Sequence, residues 1–400
     1  MSGWATSSLS DVTDLVARGI SPKYIDDAGV RVVNQRCVRD HEVDYASARR
    51  HDADAKPIRP DRLVRAGDVL VNSTGVGTLG RVAQVRREPS EPTTVDTHVT
   101  IVRPRAGLFH PEFFGYVLQS IEPALTEAGE GASGQTELSR TTLAGFEVTY
   151  PTSLDEQKRI VAILDQAFAG IAKATTNATQ NLSNAGSILN QVLDHIVAPQ
   201  SDDCEEYCLG EVCDLFQGLA INAGTKHLLV PHSDLPLLRI RDLRDGTAEQ
   251  FVSASGYPVN ALVGPEDILY TRTGQIGLVF RGRYGILHNN CFKISPRRAL
   301  DNDFLYWWLQ SPKFRNEIFR LSSRAAQPDI THKIFKAQII RLPPIKEQKR
   351  LARRVAEISG SISELEAHYR RRVTELGNLK EAILHKAFSG QLTSADNIPV

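Results

Sequence analysis

The sequence is short of cysteine, has no long apolar run and carries no excess of either charge, and each shortage removes a class of protein. The five cysteines come at an odd count and without regular spacing, and Met1 to Ser10 lacks the basic start and apolar core of a secretory signal. Both features point to a reducing, cytoplasmic setting. No stretch approaches 18 uninterrupted apolar residues, which removes a transmembrane helix. The 47 Lys and Arg balance 47 Asp and Glu, so bulk positive charge cannot drive binding to nucleic acid, and any such partner must be met by local patches. What is present is ordinary: 400 residues, 41% hydrophobic and 24% charged, enough for two or more cores and too apolar for general disorder.

Comparison of the chain with itself reveals two copies of one plan. The run Leu9 to Leu15 returns as Leu209 to Leu215, each followed within a few residues by a glycine, Gly19 and Gly218. Asp68-Val69-Leu70 with Ser73-Thr74-Gly75 returns as Asp267-Ile268-Leu269 with Arg272-Thr273-Gly274. Glu112-Phe113-Phe114 and Leu118-Gln119-Ser120 match Asp303-Phe304-Leu305 and Leu309-Gln310-Ser311 at the same internal spacing. The clearest match is Glu156-Gln157-Lys158-Arg159 after Pro151, which returns as Glu347-Gln348-Lys349-Arg350 after Pro343-Pro344. Four matches in one order describe a duplicated unit of about 190 to 200 residues, a comfortable domain size.

Within each unit two textures alternate. The first part mixes short strand-like runs, such as Asp68 to Asn72 and Arg81 to Val85, with Gly and Pro punctuation and short amphipathic helices such as Pro111 to Ser120. This is the pattern of an α+β domain. The second part is helical: small or apolar residues fall at alternating 3 and 4 spacing from Ile160 through Leu164, Ile171, Ala178 and Ala185 to Ile196, and again from Leu351 through Val355, Ile362 and Tyr369 to Ala387. Ser153-Leu154-Asp155-Glu156 has the form of a capping box, Pro344 sits where a missing N–H is harmless, and Pro199 and Gly390 are placed as stops. Each helix of roughly 43 residues would be about 64 Å long, the length of a strut. The seams are narrow, so the two helices are expected to pack on one another; a helical hairpin that merely dimerises is the plainer alternative.

The order globular part, Glu-Gln-Lys-Arg helix, globular part, Glu-Gln-Lys-Arg helix resembles the specificity subunit of a type I restriction-modification system. The resemblance covers nearly the whole chain and rests on Pro151 to Ile163, Pro343 to Leu351, Leu379 to Leu392, and the segments Gly67 to Val82 and Glu266 to Val279. It implies an α+β fold with two target-recognition domains, at 1–152 and 200–343, a central spacer helix at 153–199, a C-terminal spacer helix at 344–392 packed antiparallel to the first, and a tail at 393–400. It further implies double-stranded DNA with a bipartite target as the partner, each domain reading one half. Two modification subunits would supply methylation with S-adenosylmethionine, and restriction subunits would supply ATP-dependent translocation and cleavage. This chain itself would bind no cofactor and carry no catalytic residue. Since DNA repeats every 34 to 36 Å, a strut of about 64 Å separates the readers by at most about two turns, and a half-site spacing of about one turn is expected. The resemblance leaves room for an adaptor of similar build in another DNA-modification or defence complex, and for a protein-binding scaffold. Two local departures stand out: a polar stretch at Thr175 to Asn177 and Asn181 to Asn184, a candidate kink, and a charged insert at Arg49 to Arg62 without a clean twin.

Several motifs suggest other chemistries and fail on context. Gly75-Val76-Gly77-Thr78-Leu79-Gly80 matches G-x-G-x-x-G, but a dinucleotide-binding turn opens a helix, whereas Arg81 to Val85 alternates like a strand and the twin loop loses the pattern. A glycine-rich hairpin is expected instead. Cys204, Cys208 and Cys213 contain no C-x-x-C pair, and Cys213 stands at the apolar position that Thr13 holds in the twin, so a buried thiol is expected rather than a metal ligand. Trp307 and Trp308 lie in an amphipathic helical pattern and are expected in the core rather than as base-stacking platforms. No G-x-x-x-x-G-K-[ST] loop and no Asn-Pro-Pro-aromatic segment occurs.

Base edges are read by Arg, Lys, Asn, Gln, Ser or Thr on exposed loops. The candidates are Asn72, Ser73, Thr74 and Arg81 in the first glycine hairpin, and Arg272, Thr273 and Gln275 in the second, with Arg283 as a further charge beside it. To these are added His98, then His288, Asn289 and Asn290, and the matched pair Gln135 and Gln327 before each spacer. Each also has a plain reading as a solvated or turn-stabilising polar residue. Arg49, Arg50 and Arg59 fit phosphate contacts better than base contacts.

Overall fold

The computed structural model describes residues 3–129, 137–197, 203–322 and 329–392. Gln135 and Gln327 lie outside the described residues. The chain divides into two compact units, Met1–Asn177 with Arg372–Val400, and Ala178–Arg371, so the division falls within both long helices.

In the first unit, strand Trp4–Ser8 pairs antiparallel with Glu147–Pro151, tying the start of the globular part to its end just before the first long helix. Between them lies an antiparallel sheet in the order Thr13–Arg18, Val99–Pro104, Val69–Asn72, Val82–Gln84. The strand Val69–Asn72 is buried at all four positions, which explains a run that is continuously apolar rather than alternating until Asn72. A second sheet orders Thr93–Val95, Val30–Val33, Arg49–His51 and Tyr24–Ile25, its first pair parallel. The charged insert thus opens as a strand of this sheet.

The second unit repeats the first sheet strand for strand: Cys213–Gln217, Cys291–Pro296, Ile268–Thr271, Val279–Phe280. The closing pair returns as Glu205–Cys208 with Ile339–Leu342, and the second sheet has three strands, Leu237–Leu238, Gly285–Leu287 and Leu262–Val263. The runs Leu9 to Leu15 and Leu209 to Leu215 each begin with a single helical turn, Leu9–Val12 and Leu209–Val212, before the strand. The glycines that follow are required by close approach, because the chain leaving the first sheet crosses the end of the second. A Cβ on Gly19 would lie 1.9 Å from the Val95 carbonyl oxygen, and one on Gly218 would lie 2.3 Å from that of Leu287.

One core in each unit joins the sheet to a short helix and to spacer-helix residues. In the first, Phe113, Phe114 and Leu118 of helix Phe113–Ser120 pack with Val69, Val71, Val102 and Tyr150 and with Ile160 and Leu164 of the spacer. In the second, Phe304, Leu305 and Trp308 of helix Asn302–Leu309 pack with Ile268, Tyr270 and Phe292 and with Val355. Trp307 and Trp308 are both buried, and Cys213 is buried in the same core with its thiol pushed up to about 12 by that burial.

The long helices are Leu154–Val197 and Ile345–Phe388, 44 residues each. In the first unit they run antiparallel, with Ile160 and Leu164 in one cluster with Ala387, and the Lys380 ammonium 5.3 Å from the Phe168 ring centre. In the second unit Asn181 Nδ2 donates to Tyr369 Oη at 3.1 Å, and Leu193 shares a cluster with Ala352 and Val355. The seam expected from the 3 and 4 spacing is buried or half-buried at most of its described positions, but Leu365 and Leu379, which continue the spacing in the second helix, are exposed. The polar stretch does not break the helix: it is helical throughout, with Thr176 bonded back to the Ala172 carbonyl and Gln180 to Asn184. Among the described residues no helix is long and apolar enough to cross a membrane.

Candidate nucleic-acid interface

The same loops come together in each globular domain, and they do so because the sheet is the same. The central strand leads into a glycine loop, 73–81 or 272–278, and returns as the edge strand, which is the hairpin expected and not a strand-to-helix turn. Positive φ at Gly75, Gly77 and Gly80, and at Gly274 and Gly277, lets each loop fold tightly. Beside it lies the turn that enters the long strand, Asp96 to His98 or His288 to Asn290. The backbone joins the two: Ser73 N–H donates to the His98 carbonyl at 2.8 Å, and Arg272 N–H to that of Asn290 at 2.8 Å. A third segment closes each group through the bridges Thr74 to Glu137 and Thr273 to Asp329.

The candidate readers fare differently. Asn72 and Ser73 are fully buried: the Asn72 amide donates to the Gln35 carbonyl at 3.0 Å, and the Ser73 hydroxyl lies 2.5 Å from that of Thr100. Both are corrections to the sequence reading. They end a buried strand and brace the loop from below, so they cannot meet a base edge. Arg272 is a third correction. Its side chain is 17% exposed, and its guanidinium pairs with Asp329 at 2.8 Å and reaches the Ile330 carbonyl, which commits its fork to closing the loop group. The first domain closes the same group from elsewhere, with Arg18 paired to Glu137 at 2.7 Å.

The other candidates keep surface. His98 is exposed, with Nδ1 2.7 Å from the Thr74 hydroxyl, and Thr74 is half-buried. Gln275 is exposed at its loop tip, with Arg244 Nη1 3.5 Å from its Oε1. Arg81 and Arg283 are half-buried and each gives one guanidinium N–H to a carbonyl, that of Gly77 and that of Leu243. Thr273, Asn289 and Asn290 are half-buried, and the Thr273 hydroxyl oxygen has no partner among the described residues. Of the phosphate candidates, Arg50 is paired with Glu91 and Arg59 with Asp61, while Arg49 is exposed and lies over the Tyr24 ring at 3.4 Å.

His288 and Asp96 occupy one structural position and cap the same turn, each accepting the N–H two residues ahead, Asn290 at 3.3 Å and His98 at 2.9 Å. Burial first, and Arg239 second, hold the His288 imidazole below its ordinary value. A histidine with a depressed folded value stabilises the fold fully above about pH 6.5, and that contribution is lost as pH falls through the lower folded value. The second unit is therefore expected to lose melting temperature between pH 7.5 and 5.5. His288→Asn, whose side-chain oxygen can still cap the turn, should reduce that slope, and equal slopes in thermal melts of the two proteins would refute the assignment.

Sequence reading missed the residues that set the helices on the domains. The second residue of each Glu-Gln-Lys-Arg run is buried and binds the same three backbone groups. Gln157 accepts from His110 N–H at 2.7 Å and donates to the carbonyls of Leu108 and Pro151; Gln348 accepts from Asp301 N–H at 2.8 Å and donates to those of Ala299 and Pro343. The flanking Glu156–Arg159 and Glu347–Arg350 pairs are helix-surface ion pairs. The sequence carries a signal for them, since a polar residue repeated in register with an apolar seam is a candidate for a buried hydrogen-bond site.

Comparison with known proteins agrees with this duplicated architecture. The model of the type I restriction modification DNA specificity domain matches residues 1–182 and again 201–375. The chain is 31% identical over 175 residues to the EcoKI specificity subunit of Escherichia coli K12, a match covering 40% of this chain and 38% of that one. It thus spans well under half the length of that relative. A match of 21% identity to the putative MjaX specificity subunit of Methanocaldococcus jannaschii covers 97% of this chain and 93% of the other. Among solved structures, a chain from work on assembly and conformational transition of the type I R-M system has a TM-score of 0.81 at 20% identity over 98% of this chain and 99% of its own length. The HsdS subunit from Thermoanaerobacter tengcongensis has a TM-score of 0.59 at 20% identity, with 98% of each covered. At these identities the structural likeness speaks to fold. With its model matched over both halves, the chain belongs to the type I restriction modification DNA specificity domain family and carries that domain twice.

Proposed function

We propose that this chain is the DNA-recognition subunit of a type I restriction-modification complex, reading a bipartite target with its two globular domains. The observation that carries the reading is the repetition of one loop group on one sheet, with a common backbone frame and different side chains: His98 in the first domain, Asn290 and Gln275 in the second. Such a pair suits two different half-sites read through the major groove. The 44-residue helices, each about 66 Å long, supply the ruler, and the proposed domain bounds remain 1–152, 153–199, 200–343 and 344–392 with the tail 393–400. The chemistry lies elsewhere in this reading. Two modification subunits on the helical region bring S-adenosylmethionine, restriction subunits bring ATP hydrolysis and cleavage, and this chain is not an enzyme. The assembly works on chromosomal DNA in the cytoplasm.

The test is co-expression with its genomic-neighbour modification subunit and mapping of methylated adenines by long-read sequencing. A split motif with a fixed gap is expected. A stable complex without any motif would favour a DNA-binding adaptor of another system, and absence of DNA preference a protein scaffold. Insertion of four residues, about one helical turn, into either spacer is expected to change the gap and leave both half-sites unaltered; an unchanged gap would refute the ruler.

A further inference from the structure

The geometry points to the tip residues of the two glycine hairpins, Val76 and Gln275, as a matched pair of specificity determinants, each reading one A·T pair from the major groove. The inference rests on the DNA-reading role proposed above and names residues within it. Val76 is not among the polar side chains that the sequence alone marks as base readers.

Three observations carry it. First, the two positions are equivalent: each follows the first positive-φ glycine of its loop, Gly75 at +112° and Gly274 at +73°, two residues after Thr74 and Thr273, which bridge to the equivalent Glu137 and Asp329. Second, the loops hold their tips out on a braced frame. In the first, Thr78 and Leu79 N–H groups return to the Gly75 carbonyl, Gly80 N–H returns to Asn72, and Leu79 is buried beneath. In the second, the Thr271 hydroxyl donates to the Gln275 carbonyl at 2.5 Å and accepts from Leu278 N–H at 2.9 Å. Third, the loops share one closing bond, Gly80 N–H to the Asn72 carbonyl and Gly277 N–H to that of Thr271, and the tips differ. Val76 is 79% exposed, set between two glycines with no apolar neighbour in the loop surface, while Gln275 is exposed and amide-bearing.

The size of the element selects the groove. A two-stranded ribbon enters the major groove, about 12 Å wide, and not the minor groove, about 6 Å wide. There the one feature that suits a valine is the C5 methyl of thymine, whereas a glutamine can accept from adenine N6 and donate to N7. Arg244, 3.5 Å from the Gln275 oxygen, also pairs with Asp245, so it can yield that oxygen to a base without losing its carboxylate partner. Val76 therefore selects thymine in the half-site of the first domain, and Gln275 selects adenine in that of the second.

The exchange of tips tests this in the full chain with its modification subunit. Val76→Gln and Gln275→Val are made separately, and the modified motif of each is mapped beside the parent. Each is expected to change the preferred base at one position of one half-site, with modification of parental sites there falling roughly 5- to 150-fold, the discrimination of a single base contact. The other half-site serves as the internal control for folding and assembly. A parental motif that neither exchange alters, or an exchange that weakens modification equally at all sequences, overturns the tip assignment while leaving the reading role intact. A parental complex with no motif overturns both.

Discussion

Asp68→Ala is expected to cost the first unit about 3–5 kcal/mol, the penalty for leaving one partner of a buried ion pair uncompensated. Asp68 is 1% exposed and holds Arg103 through both carboxylate oxygens, at 2.7 Å and 2.8 Å, while the Arg65 N–H caps it at 2.8 Å. Arg103 also fastens the Leu63 carbonyl at 2.8 Å, so the pair pins the turn before the central strand to the neighbouring long strand. The duplicated Asp267 keeps the cap, from Gly264 N–H at 2.8 Å, but its cation is Lys293 at 3.9 Å and its side chain is 31% exposed. Asp267→Ala should therefore cost only about 1–2 kcal/mol. Chemical denaturation of the full chain, with hydrogen exchange reporting each unit separately, measures both. Equal penalties would show that the cap and not the ion pair carries the energy. Replacing both partners, as Asp68→Leu with Arg103→Met, should cost less than Asp68→Ala alone, because no charge is then left buried.

The second large effect is expected at the helix entrances. Gln157→Ala removes three hydrogen bonds from a site with no solvent access and leaves His110 N–H and two carbonyls without their partner, at about 2–4 kcal/mol including the vacated volume. Gln348→Ala should match it, because the same three groups are bound in the second unit. Gln157→Glu is not a rescue: the carboxylate keeps the acceptor, loses both donors and buries a charge. Hydrogen exchange is the discriminating readout. Protection should fall first in residues 154–164 for the Gln157 variant and in 345–355 for the Gln348 variant, with the far halves of the helices unchanged. A loss under 1 kcal/mol for both would mean that packing of Ile160 and Val355, not the amide, seats the helices.

How much of this was legible in one dimension depended on the range of the interactions. The duplication, the two helices and their seam are periodic or local features, and the structure holds them at Leu154–Val197 and Ile345–Phe388. The glycine hairpin was legible because Arg81 to Val85 alternates, and the core placement of Trp307, Trp308 and Cys213 because each sits at an apolar position of a repeated pattern. The readers were much less legible. Asn72 and Ser73 follow an apolar strand just as loop residues do, and nothing local says that Gln35 and Thr100, 37 and 27 residues away, bury them. Arg272 looks like a base-reading arginine until Asp329, 57 residues on, takes its guanidinium.

By itself, then, the sequence determined the repeated unit, the α+β and helical textures and the order of parts, because spacing along a chain dictates periodic structure directly. Only the tertiary structure decided which polar residues face outward, why Gly19 and Gly218 must be glycines, and what the glutamine of each helix entrance does. Those answers depend on contacts between segments tens of residues apart, and burial of a polar group is tolerated only where distant backbone supplies its partners.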